Sequence, residues 1–319
     1  MKVSLIFTVL NEGGNVQNLL DSIMKQSRKP NEIVAVDGGS RDNTIEVLKR
    51  YKKRLPIRII LARGANIAQG RNIAIDHAKY PIIVSTDGGT THDRNWLKNI
   101  VKNIEDGYDV SAGLFFPLPQ TKFEEIVGKL FYPNMKKVPD DWPPSSRSAA
   151  FTKKAWKKSG GYPEELYTAE DSIFNYRLKA IGARYKTTRN AKSYWRPRPT
   201  FWKFFKQYFT YAKGNGESLL ALYKYPENRM LYAFWLLVMA SVISYIYSIP
   251  ALIGIWIAFI FAPLLRSFKA LGVSKAGLVG WALMISALKA NVLGTHYGLL
   301  RRALGLVKAP KISVIREVG

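Results

Sequence analysis

Cysteine is absent from the 319 residues, which excludes disulfides, thiol nucleophiles and thiolate metal sites. Histidine is almost as rare: His77, His92 and His296 are too scattered in sequence to read as a histidine zinc site. Acid is scarce beside base, with 23 Asp and Glu against 48 Lys and Arg and a formal charge of +25. That imbalance calls for an anionic partner: nucleic acid, an anionic membrane face or a phosphorylated ligand. The opening run MKVSLIFTVLNEGG is short and enters a Gly/Asn turn without a cleavage signature, so no signal peptide is expected.

Charge disappears altogether over the 36 residues from Met230 to Leu265. A single helix of that length would run about 54 Å, against a hydrocarbon core of about 30 Å. A fold-back near Tyr247–Pro250 and two membrane spans are therefore expected, with Pro250 in the first turn of the second. Ala276–Leu300 is also apolar but carries Lys289 and His296. A lysine there reads as a buried polar group or as one that snorkels. About three spans over 230–300 are expected, as in a multi-pass protein of the cell membrane. The basic linker RSFKALGVSK favours the cytoplasm, and with it a cytoplasmic N-terminal domain. RRALGLVK, equally basic, conflicts with an odd number of spans, and 301–319 reads as a basic tail.

The first 215 residues alternate between two periodicities. Short apolar runs at Val3–Leu10, Ile33–Val36, Ile57–Leu61 and Ile82–Thr86 read as strands. Between them lie helical stripes, the clearest being Val16, Leu19, Leu20, Ile23 and Met24. Repeated strand–helix units predict a mostly parallel α/β sheet covered on both faces, with ligands outside the carboxyl ends of the strands. Residues 117–147, rich in proline and weakly periodic, read as a long loop. A helix is expected from about Glu170.

At that carboxyl edge the chain repeats itself. VDGG at 36–39 and TDGG at 86–89 each end a strand on one aspartate and two glycines. Gly38 and Gly39, with Gly88 and Gly89, allow main chain to approach a flat or charged ligand closely. Asn11, Glu12, Asp37, Arg71 and Asp87 should converge there. An aspartate such as Asp37 can accept hydrogen bonds from a nucleotide's base or sugar. Taken singly, each is a turn residue; together they describe a nucleotide-binding α/β domain.

From Val3 to about Gly214 the sequence resembles family 2 glycosyltransferases with the GT-A fold. The matching pieces, in order, are TVLNEGGN (beginning at Thr8), VDGGSRDNT, IAQGRNIAI, STDGGTTHDRNWL, SAAFTKKAW with SGGY, and TAED followed by Arg177-Leu178 and Gly182. The resemblance implies that Asp37 contacts the nucleobase, Arg71 the diphosphate side, and Asp87 the ribose or a metal. Asp171, beside Glu170, matches the catalytic base. Aligning Trp96-Leu97 places Asp87 at the first aspartate of the family's Asp-x-Asp motif and Gly89 at the second. A divalent ion, Mn²⁺ or Mg²⁺, held by Asp87 and by His92 or Asp93, would still serve a leaving nucleoside diphosphate.

The same resemblance sets the wider expectations. One hexose would move with inversion from a nucleotide sugar to a polyprenyl- or dolichyl-phosphate-linked acceptor. GDP-mannose is the favoured donor and UDP-glucose the alternative. The Gln-x-x-Arg-Trp of processive enzymes becomes Gln207-x-x-Thr210-Tyr211, which argues against polymer synthesis. Residues 200–225 read as an interfacial helix, aromatic on one side and basic on the other. Arg196, Arg198, Gln207 and Tyr211 are its candidate contacts to acceptor and lipid. Nucleic acid is not an expected partner, since no groove-reading motif is present and membrane spans explain the charge. The competing reading is a non-catalytic membrane scaffold with a degenerate site, which the missing second aspartate favours.

Overall fold

The computed structural model describes residues 1–132, 135–219 and 251–319. The first expected span and the fold-back at Tyr247–Pro250 lie largely or wholly outside the described residues.

The first half follows the expected alternation: β1 (Val3–Val9), α1 (Gly13–Met24), β2 (Glu32–Asp37), α2 (Thr44–Tyr51), β3 (Ile57–Arg63), α3 (Ile67–His77) and β4 (Ile82–Asp87). Then come β5 (Thr90–His92), α4 (Trp96–Glu105), β6 (Val110–Pro117), α5 (Lys122–Phe131), β7 (Ala149–Thr152), α6 (Lys153–Ser159), α7 (Glu170–Ala180) and β8 (Tyr185–Trp195). The remainder is α8 (Phe201–Glu217), α9 (Ala251–Leu271), α10 (Lys275–Ala303) and β9 (Val314–Val318).

Nine strands form one sheet in the order β5-β8-β6-β7-β4-β1-β2-β3-β9. The β3-β2-β1-β4 portion is parallel, as predicted. Beyond it the sheet is mixed, because β7 runs antiparallel to both β4 and β6 and β5 antiparallel to β8. Strands buried along their length, such as VSLIFTV and EIVAVD, need cover on both faces. Leu19, Leu20, Ile23, Val47, Leu48, Trp96 and Ile100 of α1, α2 and α4 pack in one core. Ala74, Ile75, Trp156, Phe174 and Leu178 of α3, α6 and α7 pack in the other. Each fully buried leucine or isoleucine stabilises the sheet by roughly 1.5–3 kcal/mol.

Contacts divide the chain into two units, one of residues 1–118, 133–196 and 308–319, the other of residues 119–132 and 197–307. This revises the expected boundaries twice. The stretch read as a loop contains α5, which belongs to the second unit. Its N-cap Thr121 accepts from Glu124 N while Gln120 N donates to the Glu124 carboxylate, and Ile126, Val127 and Leu130 are buried. That capping pattern and helical spacing were in the sequence and were obscured by the prolines around them.

In the second unit, α8 and α10 pack along a seam of small residues. Any side chain at Gly294 or Gly298 would run into the α8 backbone at Phe209 and Lys213. Glu217 lies buried in this seam, 2.6 Å from Arg301 and 3.5 Å from Lys213. Phe204 is buried with Phe131, Leu130 and Leu283. The aromatic stripe of α8 is thus split, with Phe204 inside and Phe201, Trp202 and Tyr211 exposed. By length and composition, α10 is the single membrane-span candidate among the described residues, with mean hydropathy 1.5 and a third (33%) of its apolar window buried.

The second revision concerns the tail. Residues 314–318 are not a free basic end: β9 pairs antiparallel with β3, Ile59 opposite Val318 and Arg63 opposite Val314. Arg58 and Glu317 join at 3.0 Å, and Gln69 donates to the Pro310 carbonyl. The strand covers an edge that would otherwise expose unpaired backbone groups. One sheet cannot lie on both sides of a bilayer. An odd number of crossings by residues 197–307 would be incompatible with this pairing. Epitope tags at residues 1 and 319 should accordingly be labelled or digested from the same side of sealed vesicles. Protection of one end alone would contradict the β3–β9 pairing.

Candidate active site

Three neighbouring strands set the site. Val9 is paired with Asp37 and Thr8 with Asp87, so β1 carries one aspartate on each flank at its carboxyl end. Asp37 is fully buried; its Oδ1 accepts from the backbone of Gly39 at 2.7 Å and Ser40 at 2.8 Å. Its Oδ2 is buried without a hydrogen-bond partner. A carboxylate oxygen in that condition costs free energy until a donor reaches it.

The loop after β1 is tied to the loop after β2. Asn11, at φ 55°, donates its N–H to Ser40 Oγ and accepts from Arg41 N through Oδ1. The left-handed conformation is one that asparagine tolerates better than most residues. Glu12 donates its backbone N–H to Thr44 Oγ1, and its carboxylate accepts from Asn15 Nδ2 at 2.7 Å. Gly38 donates to the Val9 carbonyl at 3.0 Å. Asn11, Glu12, Asp37 and Gly38 therefore lie in two loops braced against each other.

Arg71 enters from α3. That helix starts with a reciprocal capping box between Asn66 and Gln69. Gly70 lets it approach β1, where an added Cβ would stand 2.8 Å from Thr8 Cγ2. Arg71 is buried, with Nη1 2.6 Å from Glu170 Oε1 and Nη2 2.8 Å from Asp87 Oδ1. These two bonds make it a strut between β4 and α7, while its Nε is buried without a hydrogen-bond partner. Burial works against its charge, but Asp87 and then Glu170 outweigh that, and the guanidinium is held above its ordinary value. Burial and the nearby Asp171 push the Glu170 carboxyl up, with Arg71 pulling against them. Just before this pair, Ala169 adopts φ 67°, a conformation costing about 1–2 kcal/mol for a residue with a Cβ. Asp171 is half-buried beside Glu170 in the first turn of α7.

A residue absent from the sequence reading completes the group. Arg147 Nε lies 3.4 Å from Asp87 Oδ2, and its guanidinium stacks 4.2 Å from the Trp195 ring. The register explains the meeting: Ser85 pairs with Ala149 in antiparallel strands, so two residues further on Asp87 falls opposite Arg147. Only the strand order could reveal this, since 60 residues of unremarkable spacing separate them.

The expected cation at Asp87 does not find its ligands. Asp87 directs one oxygen to Arg71 and the other to Arg147. Gly89 offers no carboxylate, and a Cβ there would meet only Glu12 Oε2, at 3.9 Å. His92 is buried, its Nε2 2.9 Å from Thr86 Oγ1, its Nδ1 2.9 Å from Ser193 Oγ, and its ring stacked on Trp96 at 3.6 Å. Asp93 hydrogen-bonds the Tyr194 hydroxyl. Among the described residues no three His, Asp or Glu side chains are grouped to hold a metal. These residues do not fit Mn²⁺ or Mg²⁺; both His92 and Asp93 are occupied in packing the β4–β5 corner.

Of the acceptor-side candidates, Arg196 and Arg198 are exposed on the segment leading into α8. Gln207 Nε2 donates to Tyr211 Oη at 2.9 Å on that helix.

The family described as Glycosyl transferase family 2 matches residues 4–159, just under half of the chain. Over 240 residues the chain is 22% identical to the poly(ribitol-phosphate) β-N-acetylglucosaminyltransferase TarS of Staphylococcus aureus, covering 72% of this chain and 38% of that one. It is 25% identical over 225 residues to the O-antigen chain rhamnosyltransferase RfbN of Salmonella typhimurium, covering 64% and 71%. Among solved structures, a mannosyltransferase from Pyrobaculum calidifontis in complex with GDP-Man and Mn²⁺ superposes with TM-score 0.61 at 20% identity, covering 91% of this chain and 87% of that one. The fold is GT-A.

His92 gives the domain a measurable pH response. Burial lowers its pKa from 6.5 to about 3, so the folded state keeps it neutral where the unfolded chain takes up a proton. Its contribution is fully present above pH 6.5 and is lost as pH falls from there towards 3. Between pH 7 and 5 the wild type should lose about 2 kcal/mol more stability than His92→Gln. Urea denaturation at the two pH values checks this; parallel losses would contradict it.

Proposed function

We propose that the chain is an inverting glycosyltransferase that moves one hexose from a nucleotide sugar to a hydroxyl of a polyprenyl-phosphate-linked acceptor at the membrane. The observation that carries the reading is the Arg71 strut. It joins Asp87, on the donor side, to Glu170, the residue next to Asp171. The base and the donor cradle are thereby held at one end of one sheet. Asp37, with a buried oxygen awaiting a donor, suits the N–H of a nucleobase.

In this reading Asp171 takes the proton from the acceptor hydroxyl. That oxygen attacks the anomeric carbon as the bond from the carbon to the diphosphate oxygen breaks, and the nucleoside diphosphate leaves with the electron pair. Glu170, committed to Arg71, positions α7 and does not touch the proton. GDP-mannose is the favoured donor by the resemblance to polyprenyl-linked mannosyltransferases. Relatives named for N-acetylglucosamine and glucose transfer keep UDP-sugars as the second reading. Trp202 and Phe201, exposed on α8 beside Lys203 and Lys206, support docking at the headgroup level, with the catalytic domain on the cytoplasmic side.

A panel of nucleotide sugars, scored for nucleoside diphosphate release with a polyprenyl-linked acceptor, tests the reaction. Asp171→Asn should bind donor normally yet transfer at least ~100-fold more slowly, the scale of losing general-base assistance. Turnover equal to wild type with a hydroxyl acceptor would overturn the assignment. Loss of donor binding in the variant would make Asp171 a binding residue.

A further inference from the structure

We infer that α10, the single membrane-span candidate among the described residues, does not cross the bilayer. It lies with α8 in the plane of an anionic membrane surface, its exposed stripe against the lipid headgroups. This placement concerns the second unit alone and does not depend on the sugar-transfer reading.

The helices beside α10 are the first reason. Phe204 of α8 packs with Leu283 and Ala287 of α10. Further along, a side chain at Gly294 would meet the Phe209 carbonyl, one at Gly298 would meet the Lys213 carbonyl, and Glu217 pairs with Arg301. Residue numbers rise together, so the two helices run parallel and α8 accompanies α10 from Leu283 to Arg301. What surrounds one surrounds the other. Yet the 17 residues of α8 include Lys203, Lys206, Lys213 and Glu217, with Lys203 and Lys206 exposed. A crossing α10 would take α8 with it and set those lysines among lipid tails, where charge is costly. The start of α10 meets the same obstacle. Gly280 faces Leu130 of α5, and α5 carries Lys122, Glu125 and Lys129 as ion pairs on its outer surface.

Lys289 is the second reason. It is exposed and stands midway between Lys275 and Ala303, on one helical stripe with exposed Leu293, Tyr297 and Leu300. In a crossing helix that position is the centre of a hydrocarbon core about 30 Å thick, and half that thickness exceeds the reach of a lysine side chain. In a helix lying flat, the same lysine rises to a phosphate while Leu293 and Leu300 enter the acyl boundary.

Charge supplies the third. The one acid of α8 and α10 is Glu217, which is turned inward, 4% exposed and 2.6 Å from Arg301. Their outer surface therefore carries cations without anions, beside exposed Trp202 and Tyr297. Basic side chains with amphipathic rings complement an anionic headgroup layer. A flat α10 also removes the conflict between the three spans expected from the sequence and the β3–β9 pairing.

The chain has no cysteine, so single cysteines in the full-length protein each report on one position. In expressing cells, Lys275→Cys and Arg302→Cys should behave alike towards a membrane-impermeant maleimide added outside, and both should react once the membrane is opened. Reaction of only one from outside overturns the inference. In reconstituted vesicles, a nitroxide on Lys289→Cys should lie within about 10 Å of the headgroup boundary and not at the bilayer centre, about 15 Å from it. A central depth overturns the inference. A nitroxide on Leu293→Cys should be about fivefold less accessible to a water-soluble relaxation agent in phosphatidylglycerol vesicles than in phosphatidylcholine, the scale of one basic residue at an anionic surface. Adding Lys289→Glu should abolish that difference. Equal accessibility in the two lipids without that substitution, or full exposure to water in both, overturns the anionic docking. None of these outcomes bears on nucleoside diphosphate release, which tests the transfer reading separately.

Discussion

The charge of Arg71 is the constraint around which the catalytic unit is arranged. A guanidinium buried without partners would cost many kcal/mol, so the fold must deliver anions to it from elsewhere in the chain. It does so from two directions: Asp87 at the end of β4 and Glu170 at the start of α7. Removing the arginine would leave two carboxylates facing each other in a dry interior, a loss of about 3–5 kcal/mol. The strut is thus also a ruler. It sets the distance between the end of β4 and the turn that presents Asp171, where Ala169 is left-handed.

From this strut the polar interactions run outward in alternating sign, to Asp87 and then to Arg147, both more exposed than Arg71 itself. Arg147 meets the far oxygen of Asp87, and Asp37 ends the neighbouring loop with an oxygen still unpaired. A metal corner requires converging carboxylates, whereas this corner has one carboxylate already balanced by two arginines.

The second constraint is topological. Because β9 closes the edge beside β3, the first and last segments of the chain share one sheet and hence one compartment. α8 and α10 meet through glycines and a buried Glu217–Arg301 pair. Such a seam is held by close backbone approach and by charge, and it leaves Trp202, Tyr211 and Tyr297 on the outside. Aromatic and basic side chains exposed together suit the polar boundary of a bilayer.

The sequence by itself determined the alternating strands and helices, the parallel half of the sheet and the converging residues at its carboxyl edge. Those signals are local: a period of 2 or 3.6, a capping residue, a glycine pair after an apolar run. Asn11, Glu12, Asp37 and Asp87 were legible because each sits at a strand end, and strand ends of a parallel sheet fall on one side. Helix α5 was equally local and was hidden only by its prolines' neighbourhood. What the tertiary structure alone decided depends on pairings across long stretches of chain. Arg147 meets Asp87 through the antiparallel β4–β7 register, and His92 is taken out of the metal role by Ser193, 101 residues away. The strand β9 finds its partner more than 250 residues back, as the Arg63 and Ser313 contact records. No periodicity encodes such meetings, because they follow from which edge, face and register remain available once the local elements have packed.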